Sequence, residues 1–175
     1  NRINKPQNGL PKMTTGSPPT DDGALTLSIT EKEELEKQYP VLAKYIKPFI
    51  GAKEFLHDNV NSYSRYCLWF KDANVSDYVN IKEITERLEK VRALRKSSNA
   101  DRIQKMADYP YLFCQIRQPL STYLVFPRHS SQNRRYIPIG FMPSSVIAGD
   151  ACSIIPNVTI YEFGVLTSNV HNAWM

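Results

Sequence analysis

Residues 80–95 read NIKEITERLEKVRALR, and this stretch carries the clearest secondary-structure signal in the sequence. Its apolar residues recur at intervals of three and four, as on one face of an α-helix: Ile81, Ile84, Leu88, Val91 and Leu94. Asn80 and Glu83 have the spacing of an N-terminal capping box. The pattern predicts a helix from Asn80 to Arg95.

Two further helices and one strand are predicted before this helix. Thr30, followed by several glutamates, is typical of a helix start, and this helix is expected to end before Pro40. Val41–Ile46 predicts a second short helix that ends near Pro48. The aromatic stretch Ser62–Phe70 has the length and composition of a strand.

The chain before residue 29 is rich in proline and glycine and has little apolar periodicity. We therefore expect residues 1–28 to form an extended arm that packs on its surroundings. Residues 29–175 are then expected to form one folded domain, which the length of the chain fits.

After the helix, the pattern changes to strands. Ser121–Pro127 is an apolar run, Arg135–Phe141 alternates, and Val146–Ile155 predicts one or two more strands. Thr159–Trp174 predicts a buried helix, with one apolar face made of Phe163, Leu166, Val170 and Trp174. Helices followed by strands predict an α+β fold, with a helix-rich N-terminal half, a small mostly antiparallel sheet and a buried C-terminal helix.

Composition limits the class of protein. No apolar run approaches the roughly 18 residues of a membrane span, so we expect no membrane partner. The three cysteines are few, odd in number and far apart, which favours a reducing, cytoplasmic location over a disulfide framework. The chain begins at Asn1 and ends within an apolar pattern, so it is interpreted as a fragment of a longer protein.

Charge is distributed unevenly along the chain. The net charge is +5, and residues 109–149 contain no acidic residue but carry Arg117, Arg128, Arg134 and Arg135. A uniformly basic segment in a globular domain favours an anionic partner, and nucleic acid is the commonest large one. A solvated basic face without a partner remains the alternative.

Motifs for catalysis are absent from the sequence. It has no Asn/Asp-Pro-Pro-aromatic tetrapeptide, which would hold a flipped base in an amino-methyltransferase, and no glycine-rich loop for a nucleoside cofactor. Neither Glu-x-Lys nor Asp-x-Lys, typical of a metal-dependent nuclease, occurs. The histidines and cysteines lack zinc-ligand spacing. We therefore expect no catalytic residue, metal or cofactor in this chain.

The polar stretch Arg128–Arg134 lies between two predicted strands, and all seven of its side chains can form hydrogen bonds. Arginine can read guanine, Gln and Asn can read adenine, and Ser can hold phosphate. The candidate DNA-binding residues here are Arg128, Ser130, Ser131, Gln132, Asn133, Arg134 and the adjoining Arg135. An ordinary polar hairpin loop is the alternative.

A second basic candidate is the end of the central helix, where Arg95 and Lys96 lie. From the pattern alone, a solvated helix end, with cations near the negative end of the helix dipole, is the favoured interpretation. Lys53 and Arg65 are further candidates for the same surface.

Four stretches resemble the MmeI-like family of fused restriction endonuclease–methyltransferases. They are Pro48–Leu56, Arg65–Trp69, Pro127–Phe141 and Phe163–Met175. The passage Asn4–Met13 also resembles the segment that follows the methyltransferase motifs in such proteins. Gln132 departs from the pattern, because similar sequences more often have Glu there.

The resemblance implies that this chain is the DNA target-recognition domain of a longer protein. The expected partners are double-stranded DNA and the methyltransferase domain of the same polypeptide, which would use S-adenosylmethionine to methylate adenine N6, alongside an endonuclease domain. Two alternatives remain. One is a scaffolding domain that docks the catalytic domains, and the other is a catalytic fragment completed by a missing partner.

Overall fold

The computed structural model describes residues 11–58, 62–131, 134 and 136–174. Within these ranges the strands are β1 (Thr14–Thr15), β2 (Thr26–Ser28), β3 (Ile46–Ile50), β4 (Arg65–Leu68), β5 (Tyr123–Pro127), β6 (Gly140–Met142), β7 (Ile147–Ala148) and β8 (Cys152–Pro156). The α-helices are α1 (Ile29–Gln38), α2 (Ala52–His57), α3 (Lys82–Lys96), α4 (Asp101–Lys105), α5 (Ile160–Leu166) and α6 (Asn169–Trp174). Short 3₁₀ helices cover Pro40–Tyr45, Val75–Asp77 and Met106–Asp108. The predicted α+β class is confirmed.

The first sheet has the strand order β2-β4-β3-β7. One of its two inner strands, β4, lies within the aromatic stretch predicted from the sequence, and it pairs antiparallel with both neighbours. The outer pair β3–β7 is parallel, with Phe49 opposite Ile147. The sheet and helices α1 and α3 enclose an apolar core that includes Leu25, Leu27, Leu35, Leu42, Phe49, Leu68, Phe70, Ile84, Leu88, Val91 and Phe113.

The second sheet has the strand order β1-β8-β5-β6, and all its pairs are antiparallel. It covers a smaller core of Ile50, Tyr123, Val125, Val146, Ala148, Cys152 and Ile154. We predicted one small sheet, whereas the structure has two, because the strands of the first half pair with one another and with β7. The strand expected over Arg135–Phe141 is shorter in the described residues, where β6 is Gly140–Met142.

Much of the segment expected to form an arm lies inside the fold. Strand β1 pairs with β8, and β2 pairs with β4, so residues 11–28 contribute to both sheets. Between them, Ser17 is fully buried and its backbone nitrogen donates to the oxygen of Ala148, 2.7 Å away. The carboxylate of Asp21 is also buried and accepts from the backbone nitrogen of Leu25 at 2.6 Å. This segment therefore connects the two cores.

Helix α1 begins at Ile29, slightly before the predicted start at Thr30. Ser28 is the N-cap: its hydroxyl accepts from the backbone nitrogen of Glu31, and the Glu31 carboxylate accepts from the Ser28 nitrogen. The short helix expected next is a 3₁₀ turn. Pro48 does not end it, but lies within β3, at a position where the pairing to β7 has not yet begun; that pairing starts at Phe49. Proline is tolerated in strands where one side lacks a neighbour.

Helix α3 confirms the prediction from residues 80–95, except at its ends. No side-chain hydrogen bond caps its N-terminus, so the capping box at Asn80 was wrong. Glu83 instead accepts a hydrogen bond of 2.7 Å from the hydroxyl of Tyr39. Near the other end Leu94 is 38% exposed, and Arg95 occupies the buried face. The buried face of α3 therefore ends with the cation Arg95 and not with the apolar Leu94.

The prediction of one buried C-terminal helix was wrong. The chain forms two short helices, α5 and α6, separated at Thr167 and Ser168. The hydroxyls of both residues donate to backbone oxygens of α5, which competes with continuation of the helix. Helix α5 has no buried residue, and Ile160 and Val170 are 81% and 73% exposed.

Candidate nucleic-acid interface

Arg128 marks the start of the polar stretch and follows directly after β5. Its backbone nitrogen donates to the oxygen of Ala151 at 3.0 Å, and its Nη1 lies 3.3 Å from the backbone oxygen of Asp150. These contacts hold the arginine against the turn between β7 and β8. Its side chain is nevertheless exposed, so the guanidinium can still meet a partner.

The rest of the polar stretch is exposed wherever it is described. Ser130, Ser131 and Arg134 are exposed, and the backbone nitrogen of Arg134 donates to the oxygen of Ser131 at 3.1 Å. This bond links two described residues of the stretch. The predicted site residues Gln132, Asn133 and Arg135 lie outside the described residues.

Lys53 and Arg65 border one surface cleft of about 470 Å³. Lys53 projects from α2 and is exposed. The Arg65 guanidinium stacks on the ring of Phe49, 4.9 Å from its centroid, and lies 3.7 Å from a Glu54 carboxylate oxygen. The two cations therefore share a surface, but Arg65 is partly neutralised by Glu54.

Backbone contacts place this cleft next to the polar stretch. The nitrogen of Gly149 donates to the oxygen of Ile50 at 2.8 Å, which ties the β7–β8 turn to the start of α2. A side-chain carbon at Gly51 would lie 3.9 Å from the Cβ of Ala151, the residue that also bonds Arg128. The structure thus brings Arg128 and the N-terminal end of the helix bearing Lys53 to neighbouring positions.

The exposed cations of this region favour an anion, although the carboxylates of Glu31 and Glu54 also line the cleft. Within the part of the chain that the structure describes, no carboxylate forms an ion pair with Lys53, Arg128 or Arg134. Unpaired exposed cations keep their full attraction for phosphate, whereas paired ones must first give up a partner.

Arg95 corrects the sequence-based assignment to a DNA-contacting surface. Its side chain is fully buried, and its guanidinium donates five hydrogen bonds to the backbone oxygens of Pro19, Thr20, Met106, Tyr109 and Leu112. Burial lowers the pKa of Arg95, and the ring of carbonyl oxygens offsets the lost hydration. Such a side chain cannot reach DNA. Lys96 is exposed beside it, on the helix that packs in the first core.

A third group of cations was not foreseen. Lys47 and Lys71 line a groove of about 180 Å³ together with Trp69, Gln118 and Leu120. These residues come from the start of β3, the end of β4 and the chain before β5. Because they are far apart in sequence, no local motif announces them. Only the pairing of β3 with β4 brings the two lysines together.

In the described ranges, no cluster of three or more His, Cys, Asp or Glu side chains could hold a metal ion. Cys152 is buried, and desolvation raises its pKa to about 12, so its thiol is neutral near pH 7. No helix among these residues is both long and apolar enough to cross a membrane.

Comparison with known proteins gives three consistent similarities. The model of the MmeI target recognition domain family matches residues 1–175. DNA methyltransferase A of Bacillus subtilis (strain 168) is 34% identical over 171 residues, which cover 98% of this chain and 19% of that protein. The structure of the Type IIL restriction-modification enzyme MmeI in complex with DNA superposes with a TM-score of 0.91 at 36% identity, covering 99% of this chain and 23% of the other. The chain thus spans about a fifth of the length of these relatives.

Proposed function

Because this chain belongs to the MmeI target recognition domain family, we propose that it reads double-stranded DNA for a longer restriction–modification methyltransferase. The observation that carries the proposal is the exposed polar stretch after β5, in which Arg128 and Arg134 have no carboxylate partner among the described residues. The similar MmeI enzyme was solved in complex with DNA, which supports the same partner here.

The mechanism is recognition by a clamp. The methyltransferase domain of the same polypeptide flips an adenine and methylates its N6 with S-adenosylmethionine, while this domain holds the opposite side of the duplex. Arginines and amides of the loop read base edges in the major groove, whereas Lys53, Arg65 and Lys96 contact phosphates. An endonuclease domain belongs to the same longer protein, which acts in the cytoplasm.

Binding of duplex DNA tests the proposal directly. The 175-residue chain should bind a labelled duplex weakly, with a Kd of about 10⁻⁴–10⁻⁶ M, and binding should weaken steeply as salt is raised, because counterions are released. Fluorescence anisotropy at several salt concentrations measures both quantities. Absence of binding at low salt would refute the proposal.

A matched pair of variants makes the test specific. Arg128→Gln with Arg134→Gln removes two exposed charges from the loop, and Lys37→Gln with Lys82→Gln removes two exposed charges from α1 and α3. Because Arg128 is expected to act mainly on affinity, the loop pair should lower the salt slope by about one unit, and the control pair should not. Neither methyl transfer from labelled S-adenosylmethionine nor plasmid cleavage is expected of the chain alone.

A second function is favoured by the apolar C-terminal helices. Tyr161 is 75% and Val165 49% exposed, and both line a groove of about 350 Å³ with Pro11, Ile155, Val158 and Leu166. Contiguous apolar surface of this kind marks an interface. Since about four fifths of each relative lies outside the matched region, we assign this face to the methyltransferase domain of the same polypeptide.

Docking can be separated from DNA binding. Tyr161→Ser with Val165→Ser should lower the thermal stability of the longer protein but leave DNA binding by the 175-residue chain unchanged. Val75→Ser with Val79→Ser removes exposed apolar side chains elsewhere and serves as the control. Equal effects of both pairs on the longer protein would contradict a docking role for the groove.

A further inference from the structure

The groove lined by Lys47, Trp69 and Lys71 lies at the opposite end of β5 from Arg128. Gln118 and Leu120, which also line it, precede β5, whereas Arg128 follows it. Along an extended chain at about 3.3 Å per residue, the steps from Leu120 to Arg128 separate the two sites by up to roughly 26 Å. The groove is therefore a separate surface and not an extension of the polar stretch.

The walls of this groove are held in place. The side-chain amide of Gln118 donates to the backbone oxygens of Ser144 and Val146, at 3.1 and 2.7 Å, and accepts from the nitrogen of Ala148 at 3.2 Å. These three bonds fix the Gln118 side chain against Ser144, Val146 and Ala148. The Gln118 side chain is therefore held in one orientation where it lines the groove.

Trp69 forms the other fixed wall. Its indole packs edge-on against Phe113, with ring centroids 5.0 Å apart, and its backbone nitrogen donates to the oxygen of Tyr45 at 2.8 Å. The ring stays half-buried at the edge of the first core. An apolar wall that limits hydration strengthens the field of the cations beside it.

The charge of this groove differs from that of the other clefts. The residues that line it include two lysines and no carboxylate, and neither lysine forms an ion pair within the described ranges. Asp72 follows Lys71 in sequence but does not line the groove. By contrast, the larger cleft beside α1 is lined by several carboxylates, among them Glu31, Glu34, Glu83 and Glu86. An anion is therefore favoured in the Lys47–Lys71 groove.

We propose that the Lys47–Lys71 groove holds the phosphodiester backbone of the DNA duplex that the polar stretch reads. The proposal rests on the function proposed above. Lysines act as point charges without a planar fork, so they suit phosphates better than base edges. The separation from Arg128, at most roughly 26 Å, is shorter than one helical turn of B-DNA, about 34 Å, so one duplex can contact both sites. The groove then fixes the orientation of the domain, and the loop supplies the sequence preference.

Charge-matched variants test this assignment. Lys47→Gln with Lys71→Gln removes the same charge as Lys37→Gln with Lys82→Gln, whose lysines are exposed on α1 and α3. Because each phosphate contact contributes about 0.9 units of salt slope, the groove pair should lower the slope by about 1.8 units. The groove pair should weaken the binding of two duplexes of unrelated sequence alike, since the groove lysines read no base. Anisotropy titrations on both duplexes give these values.

Lysine acetylation of the unchanged chain supplies a readout that needs no variant. Duplex DNA should slow the acetylation of Lys47 and Lys71 but not that of Lys37 and Lys82, as followed by mass spectrometry. If the chain binds DNA, and the groove lysines are neither protected nor needed, the groove assignment is wrong while the proposed function stands. If the chain binds no DNA at low salt, both fail.

Discussion

Arg95 donates a hydrogen bond from Nη2 to the backbone oxygen of Pro19, 2.8 Å away, and so joins helix α3 to the segment that leads into β2. The same guanidinium also bonds Leu112, at 2.8 Å, and thus ties the segment after α4 to the same point. An arginine is charged at any ordinary pH, so its burial requires such a set of acceptors. The side chain is a structural junction between three parts of the chain.

Replacement of Arg95 should be severely destabilising. Arg95→Ala leaves five backbone oxygens without their donor and should cost about 3–5 kcal/mol of unfolding free energy, measured by urea denaturation. Lys96→Ala, at the exposed neighbouring position, should stay within about 0.5 kcal/mol of the original chain. An Arg95→Ala chain of unchanged stability that binds DNA poorly would restore the surface assignment.

The sequence does contain a signal for the burial of Arg95. Ile84, Leu88, Val91 and Arg95 continue one stripe at intervals of four, three and four, so the arginine falls on the face that enters the core. Extending the stripe to Leu94 instead leads to the surface. The pattern alone does not show whether Arg95 is buried or exposed, because the backbone oxygens that accept its hydrogen bonds, such as that of Pro19, lie far away in the sequence.

Gly16 is packed against the backbone of the β7–β8 turn. A Cβ atom at Gly16 would lie 2.3 Å from the oxygen of Gly149 and 2.4 Å from the oxygen of Ala148, distances that no rotamer change can relieve. Gly16→Ala should therefore displace β1 and cost about 1–3 kcal/mol in urea denaturation. Gly164→Ala is the matched control, since an added Cβ there meets nothing within 4 Å. Similar effects at both glycines would contradict this packing.

The start of α1 should make stability depend on acid pH. Hydrogen bonding to the Ser28 backbone, together with Arg87, lowers the pKa of Glu31 below its ordinary 4.5. A lowered folded-state pKa contributes stability that is present above the unfolded value and is lost as pH falls through the folded one. Unfolding free energy should thus fall below about pH 4.5, and Glu31→Gln should flatten that part of the profile.

The Ser28 hydroxyl is tested at neutral pH. Ser28→Ala removes one partner of the capping box and should cost about 1 kcal/mol, because a helix N–H loses its acceptor. Thr159→Ala at the capping box of α5 is a comparison in a helix without buried residues, and its effect should be smaller. A pH profile identical for the original chain and Glu31→Gln would show that this carboxylate does not contribute as described.

Sequence periodicity predicts the structure of a segment only when the contacts that determine this structure are local. Helix α3 and strands β4 and β5 were predicted because their periodicity is local. Pro48 in β3 was missed because proline is tolerated there only through the arrangement of neighbouring strands. The apolar residues of the C-terminal helices were expected to be buried, but apolar periodicity cannot tell a face that meets this domain's core from one left for another surface.

The candidate site divides in the same way. The polar composition of residues 128–134 and the flanking strand predicted an exposed loop, and the described part of it is exposed. Lys47 and Lys71 could not be found in this way, because they meet only through strand pairing. Local composition thus locates a loop, whereas a groove assembled from distant strands requires the fold.

The last prediction separates loop residues that read bases from those that hold phosphates. In the longer protein, replacing an arginine that reads guanine should cost about 1–3 kcal/mol of binding free energy on the recognised site and relax the sequence preference at one position. Replacing an arginine that holds phosphate should weaken binding to all duplexes alike and lower the salt slope by about one unit. We expect Arg135 to hold phosphate, and at least one of Gln132, Asn133 and Arg134 to read a base.

Sequencing of methylated sites decides between these roles when single alanine variants of the longer protein are compared. Arg128 is anchored through its own Nη1 to the oxygen of Asp150, so Arg128→Ala should act mainly on affinity. Arg134 is exposed, its backbone nitrogen donates to the oxygen of Ser131, and its guanidinium forms no ion pair among the described residues. We therefore expect it to contact a base edge, so Arg134→Ala should change the methylated sequence. If alanine at Gln132, Asn133 and Arg134 leaves that sequence unchanged in folded protein, the loop is structural, and base recognition lies on another element.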